Sequence, residues 1–266
     1  MKLLLVLSLL VLLPGVVLAE NDPFERGKVI DLTYPFDAQT IFWPTEKGFQ
    51  LESEHDGMTE KGYYYAANRF CTAEHGGTHV DAPRHFGKGK PPVDEIPLER
   101  LIARGVVVDV SRKTGRDEDE DYRIAVDDFT DWEKSHGRIP DKAIVLLRTG
   151  WGKHWKNRKK YLGTDEKGAA AVAQLHFPGL HPDAARWLVE ERRIAAVGID
   201  TASIDTGQSK EYETHRVLGE HEVPAFENVA NLDLLPEKDL TVIALPMKIR
   251  GGSGGPLRIV AVIHEI

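Results

Sequence analysis

The sequence predicts a mixed α/β protein. Five apolar runs, Val106–Val110, Ala143–Leu147, Ala195–Asp200, Thr241–Leu245 and Leu257–Ile263, are rich in the branched residues that suit buried strands. Two stretches carry helical spacing instead. Val126–His136 sets Phe129 and Trp132 three apart, and Pro182–Arg193 brings Ala184, Trp187, Leu188 and Ile194 to one face. A length of 266 residues with 41% hydrophobic content is ample for a buried core. No repeat or linker divides the chain, so interleaved strands and helices read as one domain.

Taken in order, residues 1–19 have the form of a secretory signal peptide. Lys2 supplies the positive start, Leu3 to Leu13 the apolar run, and Val17-Leu18-Ala19 the small-residue cleavage site. Cleavage there leaves 20–266 as the single domain and implies a secreted or periplasmic product with no membrane association. The net charge of −8, without a long basic run, gives no support for nucleic-acid binding. Val29–Thr33 is a plausible first strand. Pro35–Pro44 is a turn-rich connection carrying Phe36, Phe42 and Trp43, residues 48–62 read as a polar segment, and Tyr63-Tyr64-Tyr65 follows it.

Cys71 is the only cysteine, which rules out an intramolecular disulfide, and its expected role is a buried structural thiol. Pro97–Ile102 suggests a short helix opened by proline. Arg116–Asp121 is six charged residues without the glycine and spacing of a calcium loop, hence a solvated surface loop. Lys153–Lys160 is basic but too short to argue for nucleic acid, and reads as a solvated connection. Gly251-Gly252-Ser253-Gly254-Gly255-Pro256 lacks a following Lys-Ser/Thr and opens onto a strand, so it is not a phosphate cradle.

The chemistry is concentrated in His75-Gly76-Gly77-Thr78-His79-Val80-Asp81-Ala82-Pro83-Arg84-His85-Phe86. The glycine pair and Pro83 disfavour a helix. As extended chain, His75, His79, Asp81 and His85 share one parity and can lie on one side of the backbone. Imidazole nitrogen with carboxylate oxygen is a donor set that Zn²⁺ and Mn²⁺ share, so this cluster predicts a metal site.

The stretch matches H-x-G-T-H-x-D-x-P-x-H-F and so resembles the signature of the cyclase-like metal-dependent hydrolases, a family that includes kynurenine formamidases and isatin hydrolases. The resemblance implies a swivelling β/β/α architecture, with a sheet-rich core flanked by helices, and a homodimer or larger homo-oligomer. His75, His79 and Asp81 are implied as metal ligands. Asp81 can bridge to a second ion, which the family pattern completes with a histidine and a glutamate twelve residues later, here His215 and Glu227. His221 lies midway between them and competes with His215 on spacing alone. One or two ions of Zn²⁺ or Mn²⁺ per subunit are expected.

An unperturbed imidazole pKa would suit His85 to accepting and returning a proton, and the resemblance gives the same position a shuttle role. Trp43 and Phe86 are candidate substrate-binding walls for a planar aryl group, and His176–Leu180 a candidate border of the pocket. The resulting expectation is hydrolysis of a small aryl amide by metal-activated water. N-formylkynurenine is the leading substrate, with isatin or another cyclic amide as the alternative. A non-catalytic metal-binding module is the competing class, disfavoured because His85 is present beside the ligand set.

Overall fold

The computed structural model describes residues 27–114 and 120–264, and its centre is a sheet that closes on itself. In chain order the strands are β1 (Lys28–Asp31), β2 (Gln50–Met58), β3 (Tyr64–Cys71), β4 (His79–Asp81), β5 (Ile102–Asp109) and β6 (Arg123–Ile124). They continue with β7 (Ile144–Arg148), β8 (Gly179–Leu180), β9 (Ala196–Ile199), β10 (Ala225–Glu227), β11 (Leu240–Pro246) and β12 (Gly254–Ile263). The main sheet runs β1-β12-β11-β5-β7-β9-β10-β4, and the end strand β4 pairs again with β12, which closes a barrel-like ring. β12 is long enough to serve both purposes on one edge. Gly254–Pro256 pair with β4 and Val260–Ile263 with β1.

The helices α1 (Leu98–Leu101), α2 (Val126–His136), α3 (Arg158–Leu162), α4 (Pro182–Glu190) and α5 (Glu213–Glu220) complete the regular structure. Strand alternation sorts the core into two layers. On parallel β5, β7 and β9, Val106, Val108, Val145, Leu147, Val197 and Ile199 pack with the residues of α2 and α4. Val107, Ile144, Leu146 and Ala196 point the other way, into a cluster with Val80, Phe226, Val242 and Ile259 inside the ring. Each such aliphatic side chain contributes about 1.5–3 kcal/mol on burial, and both faces of these strands are used, hence their continuous apolar sequence. Trp132 of α2 adds a directional tie, its indole N–H donating to the Val107 carbonyl at 2.9 Å.

The mixed α/β architecture, the five expected strands and the two long helices are therefore present. The segment 48–62, read only as polar, contains a strand. With Tyr64–Cys71 it forms a two-stranded ribbon, β2 against β3, whose side chains are almost all exposed, including Leu51, Met58, Tyr64 and Phe70. Its alternation is not apolar/polar because neither face packs on the core, so the usual periodic signal is missing. Cys71 ends this ribbon and is exposed, contrary to the expected buried thiol.

Lys153–Lys160 is more ordered than a plain connection. It contains the end of a 3₁₀ turn, Trp151–His154, and the start of α3, tied together by Trp151 Nε1–H donating to the Tyr161 carbonyl at 2.8 Å. The signal peptide at 1–19 and most of the acidic run at 116–121 lie outside the described residues. Among the described residues no helix is long and apolar enough to cross a membrane.

Candidate metal centre and active site

The site sits where the ring closes. β4 carries His79 and Asp81, and cross-strand register sets Glu227 of β10 directly opposite His79 and Gly254 of β12 opposite Asp81. His75 precedes β4 on a bend that only glycine permits. Gly76 has φ 144° and Gly77 φ 58°, and a Cβ on Gly76 would fall inside the Phe42 ring. After β4 the chain turns through the 3₁₀ segment Pro83–His85, which swings His85 back until its ring stacks on His75, centroids 3.8 Å apart. The four residues thus converge through a bend and a turn rather than along one extended strand.

His215 arrives from the first turn of α5. The carboxylate of Asp205 fixes this turn, accepting from the backbone N–H of Thr214 at 3.2 Å and of His215 at 3.1 Å, a cap supplied from outside the helix. The same carboxylate accepts the His215 Nδ1–H at 2.6 Å, which directs Nε2 to within 3.1 Å of both Asp81 Oδ2 and Glu227 Oε1. Glu227 is itself held by the Ile204 N–H at 2.7 Å. His221 is elsewhere. It ends α5 with Nδ1–H on the Val217 carbonyl and Nε2 3.6 Å from Glu190, so the loop path brings His215 and not His221 to the cluster.

His75, His79 and His215 each have one ring nitrogen tied outward and one turned inward. His79 Nδ1–H donates to the Gly77 carbonyl at 3.0 Å. Its Nε2 is buried without a hydrogen-bond partner, facing Asp81 Oδ1 at 3.3 Å and Glu227 Oε2 at 3.5 Å. His75 places Nδ1 2.7 Å from Asp81 Oδ1. An orphaned buried nitrogen between two carboxylates is the geometry of a ligand set, since a cation satisfies all three groups at once. Potential ligand atoms of His75, His79 and Asp81 lie within 4.8 Å of one another, as do those of Asp81, His85 and His215.

The electrostatics agree. Burial opposes charge on His79 and His215, yet the surrounding carboxylates outweigh it and raise both imidazoles, His215 well above its ordinary value. Glu227 is raised by burial and by the neighbouring Asp81, whereas Asp81 is held well below the usual carboxylate range by the surrounding imidazoles despite its burial. Carboxylates that favour the charged form of His79 and His215 favour positive charge at this point, where a divalent cation competes with protons. His85 differs, because burial pushes it down to about 4.

A cavity of about 310 Å³ opens beside the cluster, walled by Ile41, Phe42, Trp43, Phe86 and Tyr212. Trp43 and Phe86 both line it, as expected for the aryl-binding walls. Phe177 stands one layer back, edge-on to Trp43, and His176 points away to Asp121, so His176–Leu180 does not border the cavity. Sequence reasoning missed Asp205, Asn228, Ser253 and Glu74. Asn228 holds φ 53° immediately after Glu227, where its side-chain N–H donates to the Gly77 carbonyl at 2.7 Å and its oxygen accepts the Tyr161 hydroxyl at 2.9 Å. Asp205 had one available signal, its place beyond the C-terminal end of a parallel strand, where α/β sites gather.

Comparison with known proteins gives the class. The Cyclase family model matches residues 30–206. Isatin hydrolase from Roseibium aggregatum is 34% identical over 221 residues, covering 80% of each chain. Kynurenine formamidase from Bacillus cereus is 27% identical over 244 residues, covering 89% of this chain and 97% of its own. A crystal structure of an isatin hydrolase bound to the product analogue thioisatinate superposes with TM-score 0.81 at 29% identity, covering 91% of this chain and 94% of its own. Fold and relatives define a metal-dependent hydrolase of amide C–N bonds. The chain belongs to the Cyclase family. The family match ends before His215 and Glu227, whose place in the cluster rests on the geometry above.

Proposed function

We propose that this protein hydrolyses the amide of a small, planar, uncharged aryl substrate, with isatin-type cyclic amides ahead of N-formylkynurenine. The observation that carries this choice is the charge of the cavity. Its described lining residues include Asp81, Glu227 and, at the mouth, Glu46, but no lysine or arginine. With Asp81 and Glu227 taken up as ligands, the lining offers the amino-acid carboxylate of N-formylkynurenine no lysine or arginine to pair with, whereas a neutral bicyclic amide needs only the aromatic walls. The 34% identity to an isatin hydrolase supports the same choice.

On this reading His75, His79 and Asp81 would hold one ion, and Asp81, His215 and Glu227 a second, the ions being Zn²⁺ or Mn²⁺. A bound divalent cation supplies Lewis-acid polarisation of the carbonyl and a lowered pKa for the attacking water. The chain supplies the rest. Trp43 and Phe86 hold the aryl plane, and the apolar cavity limits competing water. His85, kept neutral by burial, has a free lone pair at pH 7. It accepts one proton of the attacking water as the new C–O bond forms and returns it to the nitrogen as the C–N bond breaks, giving an amine and a carboxylic acid that loses its remaining proton to solvent.

The test is turnover by protein treated with chelator and reloaded with Zn²⁺ or Mn²⁺, offered isatin and N-formylkynurenine in parallel. Metal-restored hydrolysis favouring isatin supports the proposal. A preference for N-formylkynurenine refutes the charge argument, and silence on both refutes the substrate class. Two further readings accompany this one. Residues 1–19 support export, checked by the N-terminal sequence of the mature protein, and the exposed apolar ribbon β2–β3 supports a homo-oligomer, checked by sedimentation.

A further inference from the structure

We propose that Ser253 and Glu74 are positioning residues that select the tautomer of His75, so that its Nδ1 lone pair, and not an N–H, faces the metal centre. The inference rests on the reading of the cluster as a metal centre. It concerns the glycine-rich loop 251–256, which the roles given so far leave unexplained.

The argument is a proton inventory. Glu74 Oε2 accepts from the Ser253 backbone N–H at 2.9 Å and from the Ser253 hydroxyl at 2.6 Å. A carboxylate offers no proton, so the hydroxyl proton of Ser253 is committed to Glu74. Ser253 Oγ also lies 2.9 Å from His75 Nε2. With its own proton engaged, the hydroxyl can only accept there, so Nε2 carries the hydrogen. In the neutral imidazole the other nitrogen then bears a lone pair, and that nitrogen is Nδ1, 2.7 Å from Asp81 Oδ1. Two lone pairs at that distance repel unless a cation lies between them or a proton is added. His79 and His215 obtain the same result from the Gly77 carbonyl and from Asp205. His75 alone depends on a segment 178 residues away.

The loop's composition follows from this contact. A Cβ on Gly254 would lie 2.5 Å from His75 Cε1, and one on Gly252 would lie 2.7 Å from Glu74 Oε1. Only glycine at these two positions lets the backbone approach closely enough for Ser253 to reach Nε2. The glycines press the loop onto a ligand, and Ser253 reads the ring.

The experiment measures Zn²⁺ binding calorimetrically on the full mature chain, as wild type, Ser253→Ala, Glu74→Ala and the double variant. Thermal unfolding of each chelated protein controls for folding. Outer hydrogen-bond partners of ligating histidines are typically worth about 10- to 100-fold in metal affinity, so each single variant should weaken binding by that range. Glu74 acts through Ser253, so the double variant should bind no more weakly than Ser253→Ala, whereas independent effects would multiply. Wild-type affinity in Ser253→Ala, or a fully multiplicative double variant, overturns the proposal. If Ser253→Ala does not fold, wild-type affinity in Glu74→Ala overturns it equally. Wild-type protein that binds no Zn²⁺ refutes the metal centre itself. Wild-type protein that binds Zn²⁺ but hydrolyses neither substrate refutes only the substrate reading.

Discussion

Asp205→Asn is the substitution that tests most directly how the metal centre is held. The carboxylate accepts four donors on two oxygens. Oδ1 takes the Ser209 hydroxyl at 3.1 Å and the Thr214 N–H at 3.2 Å, and Oδ2 takes the His215 N–H at 3.1 Å and His215 Nδ1–H at 2.6 Å. An amide has the same shape but only one accepting end. With its oxygen toward His215, its N–H₂ opposes the Thr214 N–H. With its oxygen toward Thr214, its N–H₂ opposes the His215 N–H and drives the imidazole to the tautomer whose Nε2–H points at Asp81 and Glu227. Either orientation leaves a buried donor facing a donor.

The expected loss is about 10- to 100-fold in metal affinity, or about 1.4–2.7 kcal/mol, with turnover at limiting metal falling in proportion. Competition for the ion against a chelator of known affinity measures it. Saturating metal should recover part of the turnover, because the ligands themselves remain. Affinity equal to wild type would refute the view that Asp205 sets the His215 tautomer.

His85→Ala should lower turnover about 10²- to 10⁴-fold while leaving metal content unchanged by elemental analysis, and an emptied centre would instead make His85 a ligand. Gly76→Ala places a methyl group in the rigid Phe42 ring at φ 144°, so overpacking alone should cost about 1–3 kcal/mol in denaturant unfolding, and an unchanged midpoint would refute the close-approach argument. The ion-free protein should be most stable at mildly acid pH. His215 is raised well above 6.5 in the folded state, so its contribution is complete below 6.5 and fades as pH rises through the folded value. Thermal midpoints of chelated protein that stay level or climb above that pH would contradict the assignment.

The fold was legible where a segment packs against the core on both faces. Val106–Val110 and Ala143–Leu147 had to be buried strands because each face meets apolar neighbours, one inside the ring and one under the helices. The ribbon β2–β3 was illegible for the converse reason. Neither of its faces meets the core, so Leu51 and Tyr64 follow no burial rhythm, and Cys71 was misplaced with them. In the site, His75, His79, Asp81 and His85 could be seen because eleven positions hold them all. The choice of His215 over His221 could not be made from spacing, since it depends on where Asp205 begins α5. Asp205, Glu74 and Ser253 act through single hydrogen bonds between distant segments, and no local pattern announces such contacts.

The seam formed by β4 bears on how the molecule is made. Its partners are β10 and β12, joined through links such as Thr78 to Asn228, 150 residues apart, so closure requires pairings between segments far apart in the chain. Loop-closure entropy places such pairings late in folding. A chain with its parallel strands and helices assembled would still lack a complete ligand set, and a divalent cation would bind it poorly. The cation therefore selects the closed ring. At a hundredfold excess over its dissociation constant it adds about 2.7 kcal/mol to the closed state by mass action. Amide exchange along His79–Asp81 should then track metal supply, which makes the last step of assembly a gauge of cofactor loading.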